Sequence, residues 1–451
     1  MLILIAGIGN VGKILTEYIS KENHDIVVIE TDNKILETAI NKYDVKGILG
    51  NGASWDILNE AGAARADLII AVTESDELNI LCCLIAKRMG TKHTIARVRD
   101  PIYLRQLPFM RDEFEINMII NPEFEAASEI SRLLRFPSAI KIDVFAKGRV
   151  ELVEIKLTDN SPLIGKTLSE LPQIINSKLL VCAVQRNEEV IIPSGNFTMR
   201  GGDDIYITAS HHDMSFFFKK IGIFTEKIKS VIIIGGSDIA YYLSVLLDEQ
   251  GIAVKIIEQD KARCLELGEL LPNVEIAHGD GTDRAILLEE SIENTGACIS
   301  LTNVDEANVI ISLYANKLKV KKVITKIDEH SFSDILDSIG IESIISPKYA
   351  TANNILRYVR AMEHTSGGSV QTLYKLIDGK IEALEFLVKN NNEITGVALR
   401  GLKLKPNILV ACIIRNNKLI YPHGSDTIES GDGVIIVTAG SIIKNIEDIL
   451  E

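Results

Sequence analysis

The sequence predicts an α/β protein, in which a doubly wound parallel sheet domain and a small α+β domain form a unit that occurs twice in tandem. Three observations carry this. Short apolar runs of strand length alternate with segments of helical spacing, as in a parallel sheet covered by helices on both faces. The first run ends in Gly7-Ile8-Gly9-Asn10-Val11-Gly12, a glycine pattern at a strand-to-helix turn. The same order of elements returns about 229 residues later, where Val231-Ile232-Ile233-Ile234 leads into Gly235-Gly236-Ser237-Asp238-Ile239-Ala240. That period is far too long for a solenoid, so a whole ligand-binding unit has been duplicated.

In order, residues 2–6 form the first strand and 13–21 the first helix. Residues 26–29 form a strand that closes on Glu30, 33–43 a helix, 47–49 a strand, 55–62 a helix, 68–72 a strand, 76–89 a helix and 94–98 a strand. In the second copy the strands fall at 230–234, 252–257 before Glu258, 274–277 before Gly279, 297–301 before Thr302, and 323–327. A Pro-bearing helical segment follows each set, at 121–136 and 346–362. Short alternating strands come next. Here Leu180-Val181, Arg186-Asn187, Pro193, Gly195 and Gly202-Asp203 recur at a strict spacing of 229 as Leu409-Val410, Arg415-Asn416, Pro422, Gly424 and Gly431-Asp432. The Gly-Asp pairs are expected to mark a turn before the last strand.

Composition narrows the class. With 451 residues the chain has room for three or four domains. Apolar residues are 46% and charged residues 24%, ordinary for a globular protein in water. No apolar run approaches the roughly 18 residues that cross a bilayer, and no signal peptide is expected. Six cysteines (Cys82, Cys83, Cys182, Cys264, Cys298, Cys412) form no CxxC pair and lie mostly in apolar runs, so buried thiols in a reducing compartment are expected. A net charge of −14 argues against nucleic acid or anionic lipid as a general partner.

The glycines have separate tasks. Gly7 permits the tight turn out of the strand, Gly9 lets the backbone approach a pyrophosphate, and Gly12 lets the helix pack close. The helix N-terminus, with Ile8, Asn10 and Val11 around it, offers N–H groups and a positive dipole end to phosphate. This context makes the sheet Rossmann-like. Glu30, 21 residues after Gly9, stands where a carboxylate accepts from ribose hydroxyls. It would repel a 2′-phosphate, favouring NAD or an adenine nucleotide over NADP; the alternative is a solvated strand-end acid. Thr73 and Glu74 follow the fourth strand at the edge where ligands of such sheets bind. Thr73, Asp76, Glu77 and Asn79 recur as Thr302, Asp305, Glu306 and Asn308. Helix capping by Ser75 or Asp76 explains one small polar residue but not a repeated TxxDExN, so a ligand-edge role is preferred. Arg97 at the fifth strand, and its counterpart Lys326, are either phosphate contacts or surface cations.

The second copy is eroded. Ser237 replaces Gly9 and Ala240 replaces Gly12, while Gly235 and Glu258 survive. A serine there puts a Cβ where the backbone would touch phosphate. This site, with Gly236, Asp238, Ile239, Thr302 and Asn303 around it, is therefore expected to be weakened or retuned. Gly50-Asn51-Gly52 becomes Gly279-Asp280-Gly281, which sets an acid, Asp280, at the ligand edge.

No catalytic or metal site is expected. No tyrosine has a lysine four residues later, the histidines form no HxxxH spacing, and His211-His212 reads as a solvated turn. No basic helix-turn-helix is present. The cofactor is expected to be a regulator and not a reactant.

GIGNVG at 7–12, Glu30-Thr31-Asp32, Gly50-Asn51-Gly52, AVTESDELN at 71–79, IARVRDP at 95–101 and Asn121-Pro122-Glu123, in this duplicated order, resemble the TrkA family of Trk potassium-uptake regulators, built from RCK (KTN) domains. The resemblance covers essentially the whole chain. It implies RCK N-terminal, NAD-binding domains at 1–137 and 227–363 and RCK C-terminal domains at 138–226 and 364–451, with the clearest linker at His364-Thr365-Ser366-Gly367-Gly368. It adds Asp32, Asn51 and Gly52 to the ligand contacts. It implies no enzyme but a cytoplasmic regulatory subunit, peripheral to the inner face of the cell membrane through a potassium channel or transporter of the TrkH/TrkG type. A ring-forming homo-tetramer would bind NAD, NADH or ATP/ADP and so gate ion flow. The alternatives are an NAD-dependent oxidoreductase and a regulator of a different cation transporter.

Overall fold

The computed structural model describes the chain except residues 23, 105–112, 138, 146–149, 176–178, 188, 223–226, 329–335, 337–338, 342, 366–369, 378–379, 390–392, 441–442 and 444. Strand β1 (Leu2–Ala6) is apolar throughout and buried from Ile3 onward, because it pairs in parallel on both edges and is covered on both faces. Its neighbours are β2 (Asp25–Glu30) and β4 (Leu68–Ala71). With β3 (Lys46–Leu49), β5 (His93–Arg97) and β6 (Met118–Ile120) they form a sheet ordered β3-β2-β1-β4-β5-β6. Strand order reverses between β1 and β4, which opens a crevice at their carboxyl ends. Helices α1 (Asn10–Ser20), α2 (Asn33–Tyr43), α3 (Trp55–Ala61) and α4 (Asp76–Met89) connect the strands, with a single turn, α5 (Pro101–Leu104), after β5.

Helix α6 (Pro122–Arg135), with Asn121 as N-cap and Pro122 in its first turn, leads to an antiparallel sheet ordered β10-β9-β11-β8-β7. Its strands are β7 (Lys141–Phe145), β8 (Val150–Lys156), β9 (Leu179–Arg186), β10 (Glu189–Ile191) and β11 (Asp204–Ala209). The small domain also carries α7 (Leu171–Ile175) and α8 (His211–Lys220). The second half repeats the plan. A parallel sheet ordered β14-β13-β12-β15-β16-β17 is built from β12 (Ser230–Ile234), β13 (Ala253–Glu258), β14 (Glu275–His278), β15 (Ala297–Ser300), β16 (Lys322–Lys326) and β17 (Ile344–Ile345). Its helices are α9 (Asp238–Glu249), α10 (Lys261–Leu270), α11 (Arg284–Glu289) and α12 (Asp305–Lys317), then the long α13 (Pro347–Thr365). An antiparallel sheet ordered β18-β19-β22-β20-β21 closes the chain, with β18 (Val370–Leu376), β19 (Ile381–Leu387), β20 (Ile408–Arg415), β21 (Lys418–Ile420) and β22 (Gly433–Thr438).

The two halves are joined by exchange of helices. Helix α6 of the first unit packs on α9 of the second, with Ala127, Ile130 and Leu134 in one cluster with Ile239, Leu243 and Leu247. Helix α13 packs on α1, with Ala352, Ile355, Leu356 and Val359 beside Val11, Leu15 and Ile19. Each fully buried Leu, Ile or Val is worth about 1.5–3 kcal/mol. The apolar seam therefore outweighs the part-buried Arg360–Glu22 pair at its end. The seam brings residues from the carboxyl edges of both parallel sheets, such as Arg97 and Lys326, around one cavity. The small sheets meet through a third cluster that includes Leu152, Cys182, Tyr206, Tyr374, Cys412 and Val437.

Four local expectations change. Helix α1 begins at Asn10, not at residue 13, so Asn10–Gly12 are its first turn. The short β6 was not anticipated. His211 and His212 open helix α8 under the cap of Ser210, whose hydroxyl accepts from the Asp213 N–H, so they are not in a turn. Helix α13 runs through His364 and Thr365, while Ser366-Gly367-Gly368 lie outside the described residues. Among the described residues no helix is long and apolar enough to cross a membrane.

Candidate functional site

Gly7 has φ +95°, a left-handed backbone that favours glycine, and a Cβ there would lie 2.8 Å from the Thr73 nitrogen. A Cβ on Gly12 would collide with the Gly7 carbonyl oxygen. Both glycines are therefore required by the fold itself. Gly9 is different. It is exposed, its φ of −69° suits any residue, and a Cβ there would meet nothing within 4 Å. No side chain caps α1, so the N–H groups of its first turn have no side-chain acceptor. Ile8 departs from its expected role: its side chain is fully buried and its N–H donates to Glu30 Oε2 at 2.8 Å, so it is not available to phosphate. The Val11 side chain is likewise in the core.

Glu30 grips the loop. Besides the bond from Ile8, its Oε1 accepts from the Thr31 N–H at 2.7 Å, the Thr31 hydroxyl at 3.1 Å and the Asp32 N–H at 3.1 Å. Burial pushes the carboxyl pKa up, but these donors together outweigh it and hold the group below its ordinary value. A ribose diol must share a carboxylate already engaged by four donors. Asp32 caps α2, its Oδ1 accepting from Lys34 and Ile35 N–H. Asn51 Oδ1 accepts from the Ala53 N–H, and a Cβ on Gly52 would lie 2.9 Å from Ala6 Cβ, so both shape the turn after β3.

The repeated TxxDExN is a framework, which corrects the ligand-edge reading of Asp76 and Asn79. Asn79 is fully buried. Its Oδ1 accepts from the Thr73 N–H and hydroxyl at 2.8 and 2.7 Å, and its Nδ2 donates to the Thr73 and Arg97 carbonyls at 3.1 and 2.9 Å. All four of its hydrogen-bonding positions are used. Asn308 repeats the arrangement with Thr302 and Lys326. Asp76, also buried, accepts on Oδ2 from the Arg99 and Asp100 N–H groups, as Asp305 does from Asp328. Glu74 keeps an exposed side chain, and its carbonyl accepts from Arg99 Nη2.

Ten of the residues expected at the second site (Gly235, Gly236, Ser237, Asp238, Ile239, Glu258, Asp280, Thr302, Asn303, Lys326) line one cavity of about 870 Å³. That volume is within the roughly 300–1,000 Å³ of small-molecule and cofactor sites. Its far wall belongs to the first unit, from Asn10, Val11, Arg97, Pro122 and Glu123. Arg97, expected at the first site, is thus placed against the second. Its Nη2 donates to the Thr73 carbonyl at 2.5 Å, and its Nε is buried without a hydrogen-bond partner. Burial, then the neighbouring Arg99, lowers its pKa.

The second loop differs from the first as its sequence does. Ser237 caps α9, its hydroxyl accepting from the Ala240 N–H at 3.4 Å and occupying one donor that Gly9 leaves open. Glu258 takes the Gly236 and Asp260 N–H groups, as Glu30 takes those of its own loop. Asp280 is exposed, and its Oδ1 accepts from the Thr282 N–H and hydroxyl, which lowers its pKa. Sequence reasoning missed Arg263, Lys348 and Asp328. Arg263 donates to the Gly236 carbonyl at 2.7 Å and Asp238 Oδ1 at 2.8 Å. Lys326 and Lys348 approach Asp328 Oδ2 at 3.1 and 3.7 Å. The available signal was a comparison of the copies: after their capping aspartates, Ile35 stands where Arg263 does, and after the prolines that open α6 and α13, Glu123 stands where Lys348 does. Among the described residues no group of three or more His, Cys, Asp or Glu could hold a metal ion.

The TrkA-N domain family matches residues 3–122 and 231–347, and the TrkA-C domain family matches 152–222 and 383–451. The Trk system potassium uptake protein TrkA homolog 1 of Methanosarcina mazei is 32% identical over 452 residues, with 98% of each chain covered. The Trk system potassium uptake protein TrkA of Halomonas elongata is 31% identical over 442 residues, covering 97% of this chain and 95% of the relative. The solved structure of the GsuK channel bound to NAD superposes with a TM-score of 0.63 at 17% identity, covering 97% of this chain and 76% of its own, which shows a shared fold.

Proposed function

The chain belongs to the TrkA family of Trk system potassium uptake proteins, and on that premise we propose that it is a nucleotide-binding regulatory subunit of potassium uptake. The ligands are NAD or NADH, or ATP and ADP. The observation that carries this is the pair of helix N-termini, α1 and α9, each opening from a glycine-bearing loop at the carboxyl edge of a parallel sheet, with a cavity in front of the second. The GsuK channel bound to NAD has the same fold. The ligand-contacting set is Gly9 and Asn10 with Glu30 in the first unit. In the second it is Gly236–Asp238 with Glu258, Thr302, Asn303 and Lys326. The four domains follow the boundaries 1–137, 138–226, 227–363 and 364–451.

A protein that binds a cofactor without consuming it acts through different affinities for two conformations. Here residues of both units line one cavity between the crossed helices, so a ligand in it favours one spacing of the units. Four such chains form a homo-oligomeric ring against the cytoplasmic face of a membrane transporter of the TrkH/TrkG type and pass that change to the ion path. Glu30→Ala checks the first site. Calorimetry on the full-length chain is expected to show NADH or ADP binding that weakens about tenfold in the variant, the cost of one charge-assisted hydrogen bond. Equal binding by the variant would reject Glu30. Sustained NADH consumption with a small-molecule oxidant would favour an oxidoreductase.

A further inference from the structure

Helix α9 begins at the second loop and packs against α6 of the first unit. Ser237 caps it over the cavity, and Tyr242, buried at 5% exposure, lies on its second turn. The Tyr242 hydroxyl donates to the Arg99 carbonyl oxygen at 2.8 Å and accepts from Asn121 Nδ2 at 3.2 Å. Asn121 Nδ2 also donates to the Arg99 carbonyl at 2.8 Å, which closes a ring of three hydrogen bonds. From Arg99 the connection enters the turn after β4, whose Thr73 packs against Gly7 of the first loop. The Arg99 N–H donates to Asp76 Oδ2 at 2.8 Å, and its Nη2 to the Glu74 carbonyl at 2.7 Å. Asn121 Oδ1 caps α6, the helix that leads to the first small domain, by accepting from the Phe124 N–H. The Phe124 ring stands edge-on to Tyr242 at 5.8 Å.

Among the described residues the reverse connection lacks this ring. Counted from the helix caps, Ile14 of α1 stands where Tyr242 does, and Ser346 precedes α13 where Asn121 precedes α6. Ile14 packs against the apolar seam, and the Ser346 hydroxyl is buried without a hydrogen-bond partner. Directional bonds in a low-dielectric interior fix a geometry that apolar contact alone leaves free to slide.

We propose that Tyr242 is the positioning residue through which a ligand on the second loop is felt at the first loop. The inference rests on the reading of both loops as nucleotide sites. A phosphate at the α9 N-terminus shifts the helix as a rigid element, and the Arg99 carbonyl moves with the tyrosine. Asp76 and Glu74, held to Arg99, carry the shift to the Thr73 turn, which packs against Gly7 of the first loop. Linkage makes the effect reciprocal between the sites.

The test uses the full-length chain carrying Gly9→Asp, which leaves only the second loop open, with NADH as probe. Hydrogen exchange at the Arg99 and Asp100 amides is followed with and without saturating NADH, while NADH fluorescence reports binding. The expected result is exchange slowed about fivefold, the lower end of ordinary coupling between sites. With Tyr242→Phe added, NADH still binds and the exchange rates no longer respond. Binding without a change in exchange in the parent, or an equal change in the phenylalanine variant, overturns the coupling. Loss of NADH binding in the Gly9→Asp chain removes the second loop as an NADH site, and the coupling with it.

Discussion

A Gly9→Asp chain folds as the wild type does and loses nucleotide binding at its first site by about 100-fold, the cost of one or two charge-assisted hydrogen bonds. The expectation follows from the contrast among the three glycines. Side chains at positions 7 and 12 would run into the Thr73 backbone and the Gly7 carbonyl, so substitutions there confuse binding with folding. At position 9 the space is open and the backbone ordinary, and aspartate is a good N-cap. Its carboxylate would occupy the N–H groups of α1 and place a negative charge where a phosphate must sit. Calorimetry paired with thermal unfolding checks both halves of the expectation. An unchanged first-site affinity in a folded Gly9→Asp chain would reject the α1 N-terminus as the phosphate contact.

The second large effect lies in the small domains. Asp203 and Asp432 are each 1% exposed. Asp203 accepts from Arg186 Nε and Nη2 at 2.7 and 2.8 Å, and Asp432 from Arg415 Nε and Nη2 at 2.9 and 2.8 Å. Each also takes a backbone N–H, from Arg200 or Glu429. Replacing either by alanine removes a buried carboxylate that accepts from a backbone N–H and two guanidinium donors and is expected to destabilise its domain by about 3–5 kcal/mol. Burial raises the Asp203 pKa, but the Arg186 bonds and the Arg200 N–H overcome it and hold the carboxyl below its ordinary value. Its contribution is therefore complete above the unfolded value of about 3.9 and is lost as pH falls through the lower folded value. Chemical denaturation of the two variants at neutral pH measures the effect; a loss below about 1 kcal/mol would place these pairs with weak surface ion pairs.

The parts of the fold legible in the sequence are those governed by local sterics and burial. The apolar runs gave the strands, and Gly7 and Gly12 marked the turn because the chain itself forbids a side chain there. β6 escaped notice because a strand of three residues carries almost no periodicity. The framework role of Asp76 and Asn79 is hidden in the sequence for a different reason. A repeated polar pattern looks like a ligand edge until its bonds are traced, and the partners of Asn79 lie 6 and 18 residues away. The walls of the second cavity were invisible because Arg97 and Glu123 reach it only through the exchange of α6 and α13 between the units. That exchange also alters the expectation of a weakened second site. Ser237 does take up one N–H donor, yet Arg263, Lys326 and Lys348 gather at the same cavity. The Gly-Asp pairs do form turns, Gly202 and Gly431 having φ of +82° and +92°, but the aspartates that follow also anchor an arginine.

Potassium flux tests the central claim most directly. The membrane protein that co-purifies with this chain is reconstituted in vesicles, the chain is added on the side corresponding to the cytoplasm, and potassium entry is followed as NADH or ADP is titrated. The predicted result is a flux that changes with nucleotide only when the chain is present, and that no longer responds when Gly9→Asp and Ser237→Asp are combined. A flux indifferent to the chain, or one that answers to nucleotide equally well with both loops blocked, would contradict the account.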